Sequence, residues 1–357
     1  MNQERNRPSR PDRRIEEYCN ASSRGKVFPR GLHPPISLGG KDPADHDLPT
    51  LEQIREAGVR IRPHIWLTPT VHVESAQLYL KMECWQRTGS FKVRGAFSKL
   101  LTLDREQLAR GVVTASAGNH GIGVAEAARY LGVECHVFLP EGASAAKLTI
   151  LRNLGAQLHI AGRDYDECEA EALRWAERTG VEFIHPFDDP AVISGQGTLA
   201  LEMLEQIGPA EAVFVPIGGG GLIAGVSRVL HELRPEIQVI GAQPEACPAM
   251  LRSLEAGRVV ETPCFDTIAD GLAGRFVGER TLRACQLWVD EVMLVEESEI
   301  RRALRWLLDT LHVVVEGSAA VGVAAALRRP ELRPAAVVLT GRNIDTRTLL
   351  NAVSTEE

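Results

Sequence analysis

The sequence predicts an α/β protein built from two doubly wound domains, in which helices cover both faces of mainly parallel sheets. Apolar, strand-like runs alternate with helix-like segments from residue 112 onward, and this order is typical of βαβ units. A second series begins at the apolar run Ala212–Ile217, which leads through four glycines into a further helical segment. The length of 357 residues leaves room for two medium domains with cores of their own.

The first 49 residues are rich in Pro, Arg, Ser and Gly and show no sustained hydrophobic period. This composition predicts an extended or partly disordered arm. Thr50 with Gln53 three positions later has the pattern of a capping box, which predicts a helix that ends at Gly58. Leu78–Met82 is predicted as a short strand before the segment that contains Lys92.

Residues 112–187 are predicted to form a small α/β domain, because short apolar runs alternate with longer segments that end at glycines. Its predicted strands are Val112–Ala115, Val133–Leu139, Gln157–Ile160 and Glu182–Ile184. Its predicted helices are Ile122–Leu131, Ala145–Leu154 and Tyr165–Thr179.

Residues 50–111 and 188–357 are predicted to form a larger domain around the four-glycine segment. Its predicted helices are Thr198–Ile207, Leu222–Leu233 and a segment capped by Ser298. Its predicted strands in this second part are Ala212–Ile217, Gln238–Gly241 and Ala335–Leu339.

Composition and charge exclude several classes of protein. The formal net charge is -7 and the pI is about 5.9, so we expect no nucleic-acid partner, although the first thirty residues carry eight Arg or Lys against four acids. The most apolar run, Val313–Leu327, is broken by Glu316, and the N-terminus lacks an apolar signal core. We therefore expect neither membrane insertion nor export.

Seven cysteines form an odd set without a C-x-x-C spacing. This pattern favours reduced thiols in a cytoplasmic protein over a disulfide framework or a zinc site.

Four consecutive glycines, Gly218, Gly219, Gly220 and Gly221, connect a buried strand to a helix. Each glycine loses much backbone entropy on folding, so stability alone does not explain the run. Uncovered N–H groups at a helix N-terminus favour a phosphate, and we predict a phosphate site here. A tight turn with several positive φ angles is the structural alternative. The run is neither a Walker A loop nor a G-x-G-x-x-G motif.

A second strand-to-helix turn contains Ser116, Ala117, Gly118, Asn119 and His120. Its small residues and free N–H groups are suited to a carboxylate, and the Asn119 amide is suited to a ring oxygen. Asn and Gly are also common turn formers. His120 fits a packing residue at a helix start better than a catalytic base.

Lys92 lies between Gly89 and Gly95 at the predicted start of a helix. A partly buried amine there loses its proton more readily than a free one and can attack a carbonyl, whereas the ordinary alternative is a surface lysine.

Thr340 follows the last predicted strand, at the sheet edge where ligands bind. Its hydroxyl can bond a pyridine nitrogen without protonating it, and a strand-end turn is the alternative.

An activated lysine, a phosphate cradle, an amide-bearing turn and a strand-end hydroxyl together fit pyridoxal 5′-phosphate. The sequence here resembles the fold-type II pyridoxal-phosphate enzymes, whose fold is that of the tryptophan synthase β chain, and in particular the serine/threonine dehydratase and serine racemase group. The resemblance covers about Ile65 to Asp345. Its motifs are Lys81-x-Glu83-x-x-Gln86-x-x-Gly89-Ser90-Phe91-Lys92-x-Arg94-Gly95-Ala96, Ser116–His120, His185–Asp189, Gly195–Thr198, Gly218–Gly221 and Thr267–Ala273.

The resemblance implies a homodimeric dehydratase that acts on a β-hydroxy-α-amino acid, with pyridoxal 5′-phosphate in the cleft between the two domains. Lys92 is the implied Schiff-base lysine. The implied cofactor-binding residues are Phe91, Lys92, Asn119, Gly218, Gly219, Gly220, Gly221 and Thr340. The implied substrate-binding residues are Ser116, Ala117, Gly118, Asn119 and His120.

Three departures from the family pattern refine this interpretation. Ala117 stands where racemases of the group are expected to have a serine, which favours elimination over racemisation. Gln243 and Ala249 replace the carboxylates expected of metal-stimulated members, so we expect no divalent metal. Arg342 interrupts the usual Ser-Gly-Gly-Asn ending, and a salt bridge with Asp345 or Glu316 is one explanation.

Other functions stay open at this point. Racemisation and β-replacement use the same fold, and a non-catalytic binding protein for amino acids or pyridoxal phosphate is an alternative of another class.

Overall fold

The computed structural model describes residues 26–27, 47–143 and 145–354. The predicted arm, residues 1–49, therefore lies almost entirely outside the described residues, as does Cys19. The described strands are β1 Lys26–Val27, β2 Thr70–Val73, β3 Leu78–Lys81, β4 Val112–Ala115, β5 Cys135–Leu139, β6 Gln157–Ile160, β7 Glu182–Phe183, β8 Ala212–Pro216, β9 Gln238–Pro244, β10 Glu291–Val295 and β11 Ala335–Val338.

The described helices begin at residue 51 and end at residue 354. They are α1 Leu51–Ile61, α2 Lys92–Leu100, α3 Arg105–Arg110, α4 Asn119–Leu131, α5 Ala145–Asn153, α6 Tyr165–Thr179, α7 Pro190–Gln206, α8 Gly221–Leu233, α9 Ala249–Ala256, α10 Glu279–Trp288, α11 Glu297–Leu311, α12 Gly317–Leu327 and α13 Thr346–Ser354. None of these helices is long and apolar enough to cross a membrane.

The larger sheet of the described chain has seven strands in the order β1-β10-β9-β8-β11-β3-β2. Its inner pairs are parallel, and only the edge strands β1 and β2 pair antiparallel with their neighbours. Strand β11 lies between β8 and β3 in the middle of the sheet. The carboxyl ends of β3, β8, β9 and β11 therefore meet at one edge, where open α/β sheets bind ligands.

Alternation along β8 explains why helices cover both faces of this sheet. Ala212 and Phe214 join the core formed with α11 and α12, whereas Val213 and Val215 join the core formed with α7 and α8. Because successive side chains of a strand point to opposite faces, a strand that is apolar throughout requires cover on both sides.

The smaller sheet has four parallel strands in the order β6-β5-β4-β7. Val137 of β5 packs in the core that contains Ala125 of α4 and Leu151 of α5. Its neighbour Phe138 packs on the opposite face with Ala172 of α6. The sequence prediction of mixed α/β structure with parallel sheets is thus confirmed.

Several predicted helix boundaries are wrong, including the start at Ile122, since that helix begins at Asn119. Helix α1 continues past Gly58 to Ile61 before a turn that contains Pro63. Helix α7 begins at Pro190 rather than Thr198, because Asp189 caps it by accepting from the N–H groups of residues 191 and 192. Helix α11 begins after Glu296 rather than Ser298, and its first turn is closed by Glu299, whose Oε2 accepts from the N–H of Glu296 at 2.9 Å.

The prediction that the cysteines are all reduced thiols is also wrong. Cys247 and Cys264 form a disulfide with an S–S distance of 2.06 Å. Their segments run side by side, since the N–H of Phe265 donates to the carbonyl oxygen of Ala246 at 3.0 Å. A spacing of 17 residues gave no local signal for this pairing. The other described cysteines are buried free thiols, at positions 84, 135, 168 and 285.

Candidate active site

Lys92 is the first residue of α2 and is fixed to the middle of the larger sheet. The N–H of Phe91 donates to the carbonyl oxygen of Thr340 at 3.0 Å, and Ser90 forms a β-bridge with Gly341. Thr340 lies two residues after Val338, the last residue of β11. The lysine and the strand-end hydroxyl are therefore held at the same carboxyl edge.

The Lys92 amine contacts the segment that follows the last strand of the smaller sheet. Its Nζ donates to the carbonyl oxygen of Pro186 at 2.8 Å and lies 5.4 Å from the centre of the Phe91 ring. Burial lowers the pKa of Lys92 to about 8, although the negative charge of Glu316 opposes the shift. A lowered pKa is what a lysine needs in order to act as a nucleophile or base near neutral pH.

A buried ion network supports the helix that begins at Lys92. Arg94 is fully buried. Its Nε and one of its Nη atoms donate to Glu83 at 2.7 and 2.8 Å. Both of its Nη atoms donate to Glu202, at 2.7 and 2.8 Å. Lys81, also fully buried, donates to Glu202 at 2.8 Å. Removing one partner of such a network leaves an uncompensated buried charge. The family motif contained Lys81, Glu83 and Arg94, but the sequence did not reveal Glu202, the common partner of Lys81 and Arg94.

The four glycines combine free N–H groups with close packing. Within the described chain, none of the N–H groups of Gly218, Gly219, Gly220 and Gly221 donates a hydrogen bond. A Cβ atom on Gly219 would stand 2.3 Å from the Phe187 ring. The φ angle is positive, at 97°, for Gly220 and not for the other three, so the alternative of several positive φ angles is wrong.

The turn from Ser116 to His120 follows β4 and opens α4. Ser116 Oγ accepts from the N–H of Gly118 at 3.2 Å, and Gly118 is the N-cap of the helix. The N–H groups of Ala117, Asn119 and His120 donate to no other described residue. Three free donors at the N-terminus of a 13-residue helix are suited to an anion.

The two histidines near Lys92 are neutral. His120 Nε2 lies 3.0 Å from the carbonyl oxygen of Ile184, and burial, aided by the charge of Lys92, lowers the pKa of His120 to about 3. Burial likewise lowers the pKa of His185 to about 4, and its Nδ1 accepts from the N–H of Asp188 at 2.8 Å. Neither ring is suited to proton transfer, which agrees with the interpretation of His120 as a packing residue.

Thr340 carries a buried hydroxyl without a partner. The residue is 3% exposed, and its Oγ1 makes no hydrogen bond within the described chain. An unsatisfied buried hydroxyl is unfavourable by about 1–3 kcal/mol, so its presence requires an explanation. A ligand acceptor placed against Thr340 supplies one.

A carboxylate that the sequence did not identify as a site residue lies beside Asn119. Asn119 Nδ2 donates to Glu316 Oε1 at 2.7 Å, and the N–H of Asn343 donates to Glu316 Oε2 at 3.2 Å. Burial raises the pKa of Glu316 to about 7 against the opposing effect of these donors. The only sequence signal was a charge within an apolar run.

Arg342 does not form the salt bridge that was one explanation for it. Its side chain is exposed and pairs with neither Glu316 nor Asp345. Asp345 instead accepts from the N–H of Thr348 at 2.9 Å. The structure gives no account of the Arg342 side chain.

Gln243, at the expected metal position, is engaged with the backbone. Its Oε1 accepts from the N–H of Leu251 at 3.0 Å, and its Nε2 lies 3.5 Å from the carbonyl oxygen of Ile217. Among the described residues there is no cluster of His, Cys, Asp and Glu suited to a metal ion.

The residues present fit pyridoxal 5′-phosphate. The orphaned hydroxyl of Thr340 matches a ring nitrogen that accepts a hydrogen bond, and the free N–H groups of 218–221 match a phosphate. The Lys92 amine is connected to the glycines because it donates to Pro186, and the next residue, Phe187, packs on Gly219 and Gly221. Thr340 is connected to Lys92 through Phe91, whose N–H donates to the Thr340 carbonyl oxygen.

Comparisons with known proteins identify the family. The family described as "Pyridoxal-phosphate dependent enzyme" matches residues 61–341. The L-threonine ammonia-lyase of Thermotoga maritima is 44% identical over 304 residues, which cover 83% of this chain and 76% of that protein. The serine racemase of Arabidopsis thaliana is 38% identical over 310 residues, with coverages of 83% and 93%.

A solved structure gives the same result for the fold. The processed form of threonine deaminase isoform 2 from Solanum lycopersicum matches with a TM-score of 0.82 and 32% identity, over 93% of this chain and 97% of that one. The predicted family resemblance, fold class and cofactor are confirmed by these matches. This chain therefore belongs to the family of pyridoxal-phosphate dependent enzymes.

Proposed function

We propose that this enzyme is an ammonia-lyase that converts a β-hydroxy-α-amino acid of the serine or threonine type to a 2-oxo acid and ammonia. The observation that carries the proposal is the Lys92 amine, which donates a hydrogen bond to the carbonyl oxygen of Pro186 and has a pKa lowered by burial to about 8. The 44% identity to an L-threonine ammonia-lyase supports the same reaction.

Pyridoxal 5′-phosphate would be held by the residues that the site brings together. The free N–H groups of Gly218–Gly221 would bind its phosphate, the Thr340 hydroxyl its ring nitrogen and the Asn119 amide its ring oxygen. Phe91 would border the cofactor through the ring that already lies against Lys92. When bound, the cofactor supplies an electron sink that stabilises negative charge at the α-carbon of an amino acid.

Lys92 is the residue that removes the α-proton of the substrate. With a pKa of about 8, about a tenth of the amine is unprotonated at pH 7, compared with less than a thousandth for an ordinary lysine. The β-hydroxyl takes up a proton, which balances the α-proton removed by Lys92, and leaves as water. Hydrolysis of the released enamine then gives the 2-oxo acid and ammonia.

The turn from Ser116 to His120 would orient the substrate through its carboxylate. The free N–H groups of Ala117, Asn119 and His120 are donors for that group. Ala117 has no hydroxyl that could return a proton to the α-carbon from the side opposite Lys92, and neutral His120 does not replace it. This arrangement favours elimination over racemisation.

The test is product analysis of the loaded enzyme with L-serine, L-threonine, 3-hydroxyaspartate and 3-phenylserine. We expect ammonia and the matching 2-oxo acid in equal amounts, with no effect of EDTA, and no turnover in the Lys92→Ala variant. The matched control is Lys99→Ala on the same helix, whose lysine pairs with Glu182 and Asp189. D-Amino acid without ammonia would indicate a racemase, and bound cofactor without any product a binding protein.

We further propose that residues 112–187 form a small domain and residues 50–111 with 188–357 a large one, with the cofactor between them. The separate four-stranded sheet of residues 112–183 supports this division. Limited proteolysis that cuts near residues 111 and 188 would agree with it.

We also propose a cytoplasmic homodimer. Trp66 and Leu67 are each 57% exposed, and adjacent exposed apolar side chains are common at subunit contacts. Light scattering of the wild type and Trp66→Ala tests the dimer, and cell fractionation tests the location.

A further inference from the structure

Asn343 and Asn119 form a directed chain of hydrogen bonds that ends at Glu316. Asn343 Nδ2 donates to the carbonyl oxygen of Thr88 at 3.0 Å and to Asn119 Oδ1 at 2.6 Å. Because a backbone carbonyl only accepts, the NH₂ group of Asn343 must face this way. The Asn119 oxygen must therefore face Asn343, which leaves its Nδ2 to donate to Glu316 Oε1.

Glu316 receives a donor on each carboxylate oxygen. Oε1 accepts from Asn119, and Oε2 accepts from the N–H of Asn343. The N–H of Glu316 itself donates to the carbonyl oxygen of Gly341 at 3.1 Å, which anchors the residue at the start of α12. An ionised carboxylate, which only accepts, satisfies both donors at once.

Two glycines leave the space that the side chains of Glu316 and Asn343 occupy. A Cβ atom on Gly341 would stand 2.5 Å from Glu316 Oε1, and one on Gly89 would stand 2.5 Å from Asn343 Oδ1. Any larger residue at either position would displace the carboxylate or the amide. The hydrogen-bond chain is therefore built into the packing of the loops on both sides of it.

Charged groups face Glu316 from three other elements. They are Lys92 of α2, Lys147 of α5 and Asp270 of the helical turn 270–272. Lys147 Nζ pairs with Asp270 Oδ2 at 2.9 Å, so the effects of these two opposite charges on Glu316 oppose each other. Asn119 is the only side chain of the helix α4 turn that bonds the carboxylate within the described chain.

We propose that Glu316 is a positioning residue that acts through Asn119. By accepting one Nδ2 hydrogen of Asn119, while Asn343 holds the amide oxygen, Glu316 fixes the amide plane and keeps its second Nδ2 hydrogen available for an acceptor oxygen of the cofactor. That second hydrogen has no acceptor within the described chain. The inference rests on the proposed function of the site, and Glu316 itself contacts none of the reacting atoms.

The substitution Glu316→Gln tests whether Glu316 orients Asn119, because it changes one functional group only. The glutamine keeps the size of the side chain but replaces one acceptor with an NH₂ donor, which must face either Asn119 Nδ2 or the N–H of Asn343. Asn119 then loses its fixed orientation. The control is Glu299→Gln, which changes a carboxylate that pairs with Arg328 and not with Asn119.

The experiment is a double-mutant cycle on the full chain after removal of cofactor. The Kd for pyridoxal 5′-phosphate and the absorption spectrum of the bound cofactor are measured at pH 8, above the pKa of about 7 of Glu316, for the wild type, Glu316→Gln, Asn119→Ala and the double variant. We expect Glu316→Gln to raise the Kd roughly tenfold and to shift the absorption spectrum. Glu299→Gln should change neither quantity. In the Asn119→Ala background, the effect of Glu316→Gln on the Kd should fall below about twofold.

Two results would overturn the inference: an unchanged Kd and spectrum in Glu316→Gln, or an equal loss of affinity with and without Asn119. If Glu316→Gln does not fold, Asn343→Ala takes its place in the same cycle, because it removes the group that holds the Asn119 oxygen. A wild type that binds no pyridoxal 5′-phosphate would instead refute the proposed function, so the two failures are distinguishable.

Discussion

Lys92 Nζ donates a hydrogen bond to the carbonyl oxygen of Pro186 at 2.8 Å, which connects helix α2 to the segment that follows β7 of the smaller sheet. The next residue, Phe187, packs its ring and backbone on Gly219 and Gly221. The Lys92 amine and the glycines at 219 and 221 are thus contacted by two consecutive residues, Pro186 and Phe187. A displacement of residues 186 and 187 would therefore disturb both the Lys92 amine and the four glycines.

Thr340→Val should weaken cofactor binding without destabilising the cofactor-free protein. The substitution keeps the shape of a buried residue and removes a hydroxyl that has no partner in the described chain. The Kd for pyridoxal 5′-phosphate should rise by about tenfold, the equivalent of one hydrogen bond of about 1–1.5 kcal/mol. Titration of cofactor-free protein measures it. An unchanged Kd would mean that the hydroxyl does not contact the cofactor.

Gly219→Ala should both destabilise the protein and loosen the cofactor, because the new Cβ would stand 2.3 Å from the Phe187 ring. Overpacking of this kind usually destabilises by about 1–3 kcal/mol. Chemical unfolding and cofactor titration measure the two effects. Gly142→Ala is the control, since its Cβ would meet nothing within 4 Å. Equal behaviour of the two variants would contradict the packing argument.

Glu316 should make the folded protein less stable as the pH rises from about 4.5 to above 7. Burial raises the pKa of Glu316 to about 7 from a model-compound value of 4.5, so in this range the folded state binds the proton more tightly than the unfolded state. Stability is then fully present below the unfolded pKa and is lost as pH passes the folded pKa, by an amount on the order of 3 kcal/mol.

The measurement is the free energy of unfolding at pH 5 and pH 8 for the wild type and Glu316→Gln. The difference between the pH dependences of the two proteins isolates Glu316. The lowered pKa values of His120 and His185 make the free energy of unfolding rise with pH in both proteins, so their contribution cancels. We expect the variant to lose less stability than the wild type between the two pH values. Parallel pH profiles would show that Glu316 does not titrate in this range.

The Cys247–Cys264 disulfide should stabilise the segment that leads to residues 267–273. Closing a loop of 17 residues is worth about 3 kcal/mol in the chain-entropy model. A Cys247→Ser/Cys264→Ser variant should lower the Tm, and a reductant should do the same to the wild type but not to the variant. An equal response of both proteins to the reductant would show that another thiol is responsible.

The sequence predicted the central strands and the glycine-closed helices of the smaller sheet well, because apolar runs and glycines are local signals. Val112–Ala115, Gln157–Ile160 and Tyr165–Thr179 have the predicted bounds. It failed at helix starts such as Pro190, where the Asp189 cap is a single side chain and the apolar period is weak.

The site shows the same division between local and long-range information. Lys92 and the glycine run belong to compact motifs and could be found in the sequence. Glu316 is bonded to Asn119 across 197 residues of chain, and Glu202 to Arg94 across 108. Contacts between residues this far apart in the sequence depend on how distant elements pack against each other. No local sequence pattern predicts them.

The most direct test of the central claim is to identify the residue that carries the cofactor. The loaded enzyme is treated with borohydride, digested, and analysed by mass spectrometry. We predict one modified peptide, with pyridoxal phosphate attached to Lys92 Nζ, and none from the Lys92→Ala variant. Attachment to another lysine, or no attachment in a protein that has bound the cofactor, would contradict the assignment of Lys92 and the mechanism that depends on it.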